Sequence, residues 1–456
     1  MKPADEILEL TDEFYQHPHE VYEALRRRGP IHRVRLDGVL GWMIVDHDVA
    51  KQAFAEPTIS KKIGSPRGQA VMAEHGADGQ YDGAINDNML FADPPQHTRL
   101  RSLVAKAFAS RAIRDLGPRI EQIADTLLDD LAARESADLI DSYAFPVPIS
   151  VICELLGVPD ADKDEFRAWT ANLVDDSADI DKRTSAGLSF FTYLTDLIAE
   201  RREHPLDDLL SELIVAKDDD DRLDQQELIS MLFLLLTAGH ETSVNLIGNA
   251  LLELLIDPRA ADRLRADPSK IPAFIEETLR FQGPVHFGTA RYTTAPITLG
   301  NKDIGADEFI IISIAAANRD PNRFTDPSRF DPNRSDIRNI AFGHGIHYCI
   351  GAALARMEAT IALTRLLARI PAMSLDVPGT DLTWRKSLLI RGLTTLPVHL
   401  STTAGIDTKD SKIPVKADPA APGRNPTTWA SHSFQRSSRL LPAPLARSTA
   451  QPQPGG

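Results

Sequence analysis

Cysteine is nearly absent: two in 456 residues cannot build a disulfide framework, so packing must hold the fold. Positive charge is in deficit. Fifty Lys and Arg against sixty-five Asp and Glu give a formal net charge of −15, which argues against a broad attraction to nucleic acid or an anionic membrane. Long apolar runs are missing too. The best stretch, 231–236, is far too short to span a bilayer, and the opening MKPADEILEL has no apolar segment of signal-peptide length. The expectation is a cytoplasmic protein with neither nucleic acid nor membrane as partner.

What is present has the balance of a soluble globular chain, long enough for one large domain or two ordinary ones. Strand-like alternation covers 31–36, and a second short strand fits 41–45. Helical periodicity then dominates, over 120–131, 191–201, 228–255, 271–281 and 352–370, with a strand-rich patch at 297–316. The predicted class is mainly α with a minor β-sheet. Between 317 and 334 the density of Pro, Asp and Asn predicts a long ordered loop, and Asp218–Asp221 reads as a solvated turn. From about Ser401 the composition shifts to Pro, Ser, Thr and Ala without apolar periodicity. The chain therefore divides into a domain over 1–402 and a tail over 403–456 that cannot offset its ordering entropy and is expected to be disordered.

Cys153 sits in the apolar run SVICELLGV and reads as a small buried hydrophobe. Cys349 is different. It lies in Phe342-Gly343-His344-Gly345-Ile346-His347-Tyr348-Cys349-Ile350-Gly351, directly before the helical stretch AALARMEATIALTRLL. Unpaired backbone N–H groups and the dipole of a helix start stabilise a thiolate. The glycines permit tight turns and close approach of backbone to a flat ligand. Phe342 can shield the sulfur, and His347 can donate to a nearby anion. A zinc site from His344, His347 and Cys349 lacks a fourth clustered ligand, the Cys-x-x-Cys-His attachment for haem is absent, and Gly343 with Gly345 is half a dinucleotide fingerprint.

The pattern F-G-x-G-x-H-x-C-x-G resembles the haem-binding loop of the cytochrome P-450 family. The resemblance runs over about 11–400 and is nearest to soluble bacterial members, many of which act on macrolides and other secondary metabolites. It implies that Cys349 is the proximal thiolate of haem b (iron protoporphyrin IX), which pushes electron density onto iron and favours O–O cleavage. It implies that haem lies between the distal helix and the Cys349 loop, with Phe342 and Gly351 beside it. The apolar helix over 228–255 contains Ala238-Gly239-His240-Glu241-Thr242, similar to the family's A-G-x-[D/E]-T. By resemblance Thr242 donates a hydrogen bond to bound dioxygen, Glu241 relays protons, and the helix opens locally at Gly239.

Supporting motifs match in family order. Glu277 and Arg280 fit E-x-x-R, and Arg329 in DPSRFDP fits the third member of that buried structural triad. His97, Arg101, Arg291 and His347 fit the residues that hold the haem propionates, carboxylates that need such partners when buried. Leu234, Leu235, Ala238, Phe287 and Leu389 are candidate pocket residues and equally candidate core. The implied reaction inserts one oxygen atom from dioxygen into an apolar small molecule, by hydroxylation or epoxidation, with electrons from a ferredoxin and its reductase. A peroxide-driven peroxygenase and a non-enzymatic haem-thiolate sensor are the alternatives. Arg99 and Lys106, seven apart on the His97 helix, share a face predicted to meet solvent, where they are either ordinary solubilising charges or, by resemblance to the family's proximal surface, a site that steers an acidic ferredoxin.

Overall fold

The computed structural model describes residues 6–77, 87–108, 116–174, 180–218, 221–387 and 389–401, so the expected tail at 403–456 lies outside the described residues. Six strands form the larger sheet: β1 (Leu8–Leu10), β2 (Ile31–Leu36), β3 (Val39–Ile44), β4 (Ile59–Ser60), β5 (Arg291–Thr293) and β6 (Phe309–Ile312), in the order β1-β2-β3-β6-β5-β4. The β2–β3 pair is an antiparallel hairpin, with Asp37 and Gly38 at positive φ in its turn. β3 and β6 run parallel, so distant parts of the chain close the sheet. A smaller antiparallel sheet joins Ala372–Leu375, Pro397–Ser401 and Ser136–Asp138.

The helices that matter for the site are α1 (His47–Ala55), α2 (Gln96–Phe108), α3 (Gly117–Ala132), α4 (Pro146–Leu155), α5 (Gln225–Ile256), α6 (Ile271–Gln282) and α7 (Ala352–Arg369). The periodicity predicted over 191–201 falls inside a longer helix, Ile180–Glu203. α5 crosses the core, as its apolar faces require, and packs on α4, α6 and α7. It begins earlier than periodicity indicates because Asp224 and Glu227 form a reciprocal capping box. The Asp224 carboxylate accepts from Glu227 N at 2.8 Å, and the Glu227 carboxylate accepts from Asp224 N at 3.1 Å. Each fully buried Leu on it contributes roughly 1.5–3 kcal/mol relative to exposure.

Two local expectations change. The strand patch ends at Ile312, and Ile314–Ala317 is a helical turn because the Ser313 hydroxyl accepts from Ala316 N at 3.1 Å. α5 runs unbroken through Gly239 instead of opening there. The glycine serves a close helix crossing: a Cβ at Gly239 would stand 3.3 Å from Ile152 Cδ1 of α4.

Candidate functional site

The cysteine loop is shaped by two glycines in the left-handed region, Gly343 at φ 75° and Gly345 at φ 74°. At Gly345 a Cβ would come within 3.0 Å of the Phe54 carbonyl at the end of α1, so the loop can approach α1 only with glycine there. Gly343 N donates to Ile340 O and Cys349 N to Phe342 O, which folds the segment back before α7 starts. Gly351 is the N-cap of α7, and at φ −83° it carries no such steric demand.

Cys349 exposes surface, yet burial is the strongest influence on its thiol and pushes the pKa up; the Gly351 backbone N–H, Arg101 and Arg356 pull it down. The helix-start stabilisation expected for a thiolate is therefore present through Gly351 but is outweighed by desolvation. Phe342 is covered by the Arg356 guanidinium, 4.4 Å from its ring centroid, and Glu276 holds Arg356 in place. Among the described residues no three His, Cys, Asp or Glu side chains gather into a metal site, so His344 and His347 do not complete a zinc centre with Cys349.

A cluster of cations borders the loop. Arg101 of α2 donates to Tyr348 O at 2.6 Å, tying α2 to the residue before the cysteine. The rings of His97 and His347 lie 4.2 Å apart, centroid to centroid. His97 is 2% exposed, and neither of its ring nitrogens has a hydrogen-bond partner. Burial, then Arg101 and Lys61, push its pKa down to about 4. His347 is driven down further by burial and by Lys61, His97, Arg291 and Arg101. Arg291, on β5, lies over Phe54 with its guanidinium 4.7 Å from the ring centroid and donates to Thr289 O. Buried polar groups without partners are rare in folded chains, and basic residues that depress one another's protonation would be relieved by a bound anion. The residues that the resemblance assigns to the haem propionates thus stand together beside the cysteine loop, and their chemistry fits that group.

On α5, Ala238 and Gly239 are exposed in the middle of a helix whose other residues from Leu228 to Leu255 are buried or partly buried. This face borders a recess. Thr242 Oγ donates to Ala238 O at 2.8 Å. Glu241 does not stand free: it is ion-paired with Arg385 and accepts from Asn245 Nδ2 at 3.4 Å. Arg385, like Lys61, escaped sequence reasoning, because an arginine in WRKS has no spacing relation to the acid it meets.

Glu277 and Arg280 of α6 are wholly buried and paired through both carboxylate oxygens at 2.7 Å. Arg329 is not the third guanidinium. It contributes its carbonyl to Arg280 Nη2 at 3.1 Å, and the arginine on Glu277 is Arg334, with Nε 3.0 Å from Oε1. The loop contains several arginines, and the turn at Asp326 (φ 46°) and Asp331 N on Glu277 decide which one reaches inward. Of the candidate pocket residues, Ala238 and Leu389 are exposed. Leu234 and Leu235 join the α5 core, and Phe287 stacks on His286 at 4.5 Å in the core under the sheet. Phe287 is thus core. Arg99, expected at solvent, is instead paired with Glu227 of the α5 cap, which already holds its carboxylate in place.

The cytochrome P-450 family model matches residues 182–371. Cytochrome P-450 107B1 of Saccharopolyspora erythraea is 48% identical over 399 residues, covering 86% of this chain and 98% of that protein. The cytochrome P-450 monooxygenase PikC of Streptomyces venezuelae is 42% identical over 403 residues, covering 87% and 94%. Among solved structures, the tirandamycin C-bound P-450 monooxygenase TamI aligns with a TM-score of 0.80 at 43% identity, over 86% of this chain and 100% of that one.

Proposed function

This chain belongs to the cytochrome P-450 family as a haem-dependent monooxygenase, and on that premise we propose that Cys349 is its iron ligand and haem b its cofactor. The observation that carries the assignment is the group of basic residues beside the cysteine loop, in which both His97 ring nitrogens are buried and unbonded. His97, Arg101, Arg291 and His347 hold the two propionates, and Phe342 and Gly351 flank the sulfur. Haem with a thiolate ligand supplies the chemistry that activates dioxygen, placing one atom in the substrate and releasing the other as water.

The chain's own residues supply position and protons. The Thr242 hydroxyl, which donates to Ala238 O beside the exposed Ala238–Gly239 face, is available to donate to bound dioxygen. Glu241 keeps a carboxylate in the core because Arg385 compensates its charge, and rotation away from Arg385 lets it pass protons toward Thr242. Ala238 and Leu389 contact an apolar secondary metabolite, and TamI bound to tirandamycin C supports a substrate of that size and character. Arg280, Glu277 and Arg334 are structural.

The electrons come from another protein. That donor is a ferredoxin served by its reductase, in the cytoplasm. No helix among the described residues is long and apolar enough to cross a membrane. The domain is 1–402, and 403–456 is a dispensable tail.

The test is spectral. Reduced protein with carbon monoxide should give the strongly red-shifted Soret band of thiolate ligation, and Cys349→Ser should abolish it. Retention of the band in Cys349→Ser refutes the ligand assignment. Turnover with ferredoxin, reductase and NAD(P)H but not with peroxide alone supports the electron route, and the converse refutes it.

A further inference from the structure

Four basic residues around the cysteine loop match the residues expected to hold a haem. A fifth, Lys61, does not belong to any of the motifs. It follows Ser60, the last residue of β4. The structure buries it: Lys61 is 2% exposed, and its Nζ has no hydrogen-bond partner. Burying an ammonium without a partner is costly, so burial drives this amine toward its neutral form, and an anion placed against it would restore the charged one.

The backbone around Lys61 is fixed. Asp93, the acid acting on this lysine, already uses both oxygens: Oδ1 accepts from Lys61 N at 3.0 Å, and Oδ2 accepts from Ser60 Oγ at 2.5 Å. β4 pairs antiparallel with β5 in the register Ile59 to Thr293 and Ser60 to Tyr292, which carries Lys61 opposite Arg291. The ring of Phe91 closes the other side, 5.8 Å from Nζ. A charge on Lys61 depresses the protonation of both His97 and His347.

We propose that Lys61 is an additional propionate-binding residue, held opposite Arg291 by the β4–β5 register and by Asp93, with its ammonium donating to a haem carboxylate. The inference rests on the haem reading above. In the ligand-free chain burial and Arg291 push the Lys61 amine toward its neutral form, and a bound carboxylate favours the protonated form, so Lys61 favours the loaded protein at the expense of the empty one.

The experiment compares parent, Lys61→Met and Lys61→Arg. Haem loss from the holoprotein to an excess of apo-globin should be roughly ten- to a hundredfold faster in Lys61→Met, the loss of one charge-assisted hydrogen bond, and near the parent rate in Lys61→Arg. The propionate bending band in resonance Raman spectra should move in Lys61→Met. The haem-free Lys61→Met chain should melt no lower than the haem-free parent. Equal rates of haem loss with an unmoved band overturn the proposal, as does a haem-free Lys61→Met chain that melts well below the parent, since that assigns Lys61 to folding. Should Lys61→Met fail to fold, Lys61→Gln repeats the haem-loss and Raman readings. A parent without the thiolate-type carbon monoxide band refutes the haem reading itself, whereas a parent with that band and an unaffected Lys61→Met refutes this inference alone.

Discussion

The knot around Glu277 and the cation cluster around His347 are both buried and rich in arginine or other cations, yet they differ in one respect. In the knot every charge is met from within the chain. All five N–H donors of Arg280 find acceptors: Glu277 through Nε and Nη2, Asn318 O and Pro327 O through Nη1, and Arg329 O through Nη2. Arg334 meets Glu277 and the carbonyls of Thr325, Asp326 and Arg329. In the cluster, Lys61 Nζ and both His97 ring nitrogens have no partner. A polypeptide that satisfies its buried charges is building itself; one that leaves them open is building a site for something else. Motif spacing does not make this distinction, because both regions read as short basic patterns.

The comparison breaks most visibly at Glu277. Glu277→Ala leaves Arg280 and Arg334 buried without their carboxylate and should cost about 3–5 kcal/mol, read as a loss of folded protein or a sharply lower Tm. Little change in Tm would show that the knot is not self-sufficient. A smaller effect is expected from acid on the cluster. His97 titrates near 4 in the folded chain against 6.5 for a free imidazole. The unfolded state therefore takes up the proton first, so stability is full above about pH 6.5, falls as pH drops toward 4, and levels below that. The difference between the haem-free parent and His97→Phe over this range should be on the order of 2 kcal/mol by denaturant unfolding. Parallel pH profiles would mean that His97 is not held neutral by its surroundings. The smallest effect separates the two loop arginines. Arg329→Ala, whose part is a carbonyl, should change stability by no more than about 0.5 kcal/mol, whereas Arg334→Ala should cost several times more, both read from urea midpoints. Equal costs would return the structural role to Arg329.

The sequence alone determined the mainly helical class, the long apolar helix, the cysteine loop and the pairing of Glu277 with Arg280. These are local properties: hydrophobic period, glycine placement, and i, i+3 spacing on one helix face. The distal motif was legible as well, but its state was not, since Glu241 is committed to Arg385, 144 residues away, and Gly239 answers to Ile152 of another helix. The choice of Arg334 over Arg329 was settled by how the loop turns at Asp326, and the burial of Lys61 by the register of β4 against β5. Only tertiary structure could decide these, because a charge acquires its role from what surrounds it after burial. The partners that surround it arrive from parts of the chain whose separation carries no periodic signal.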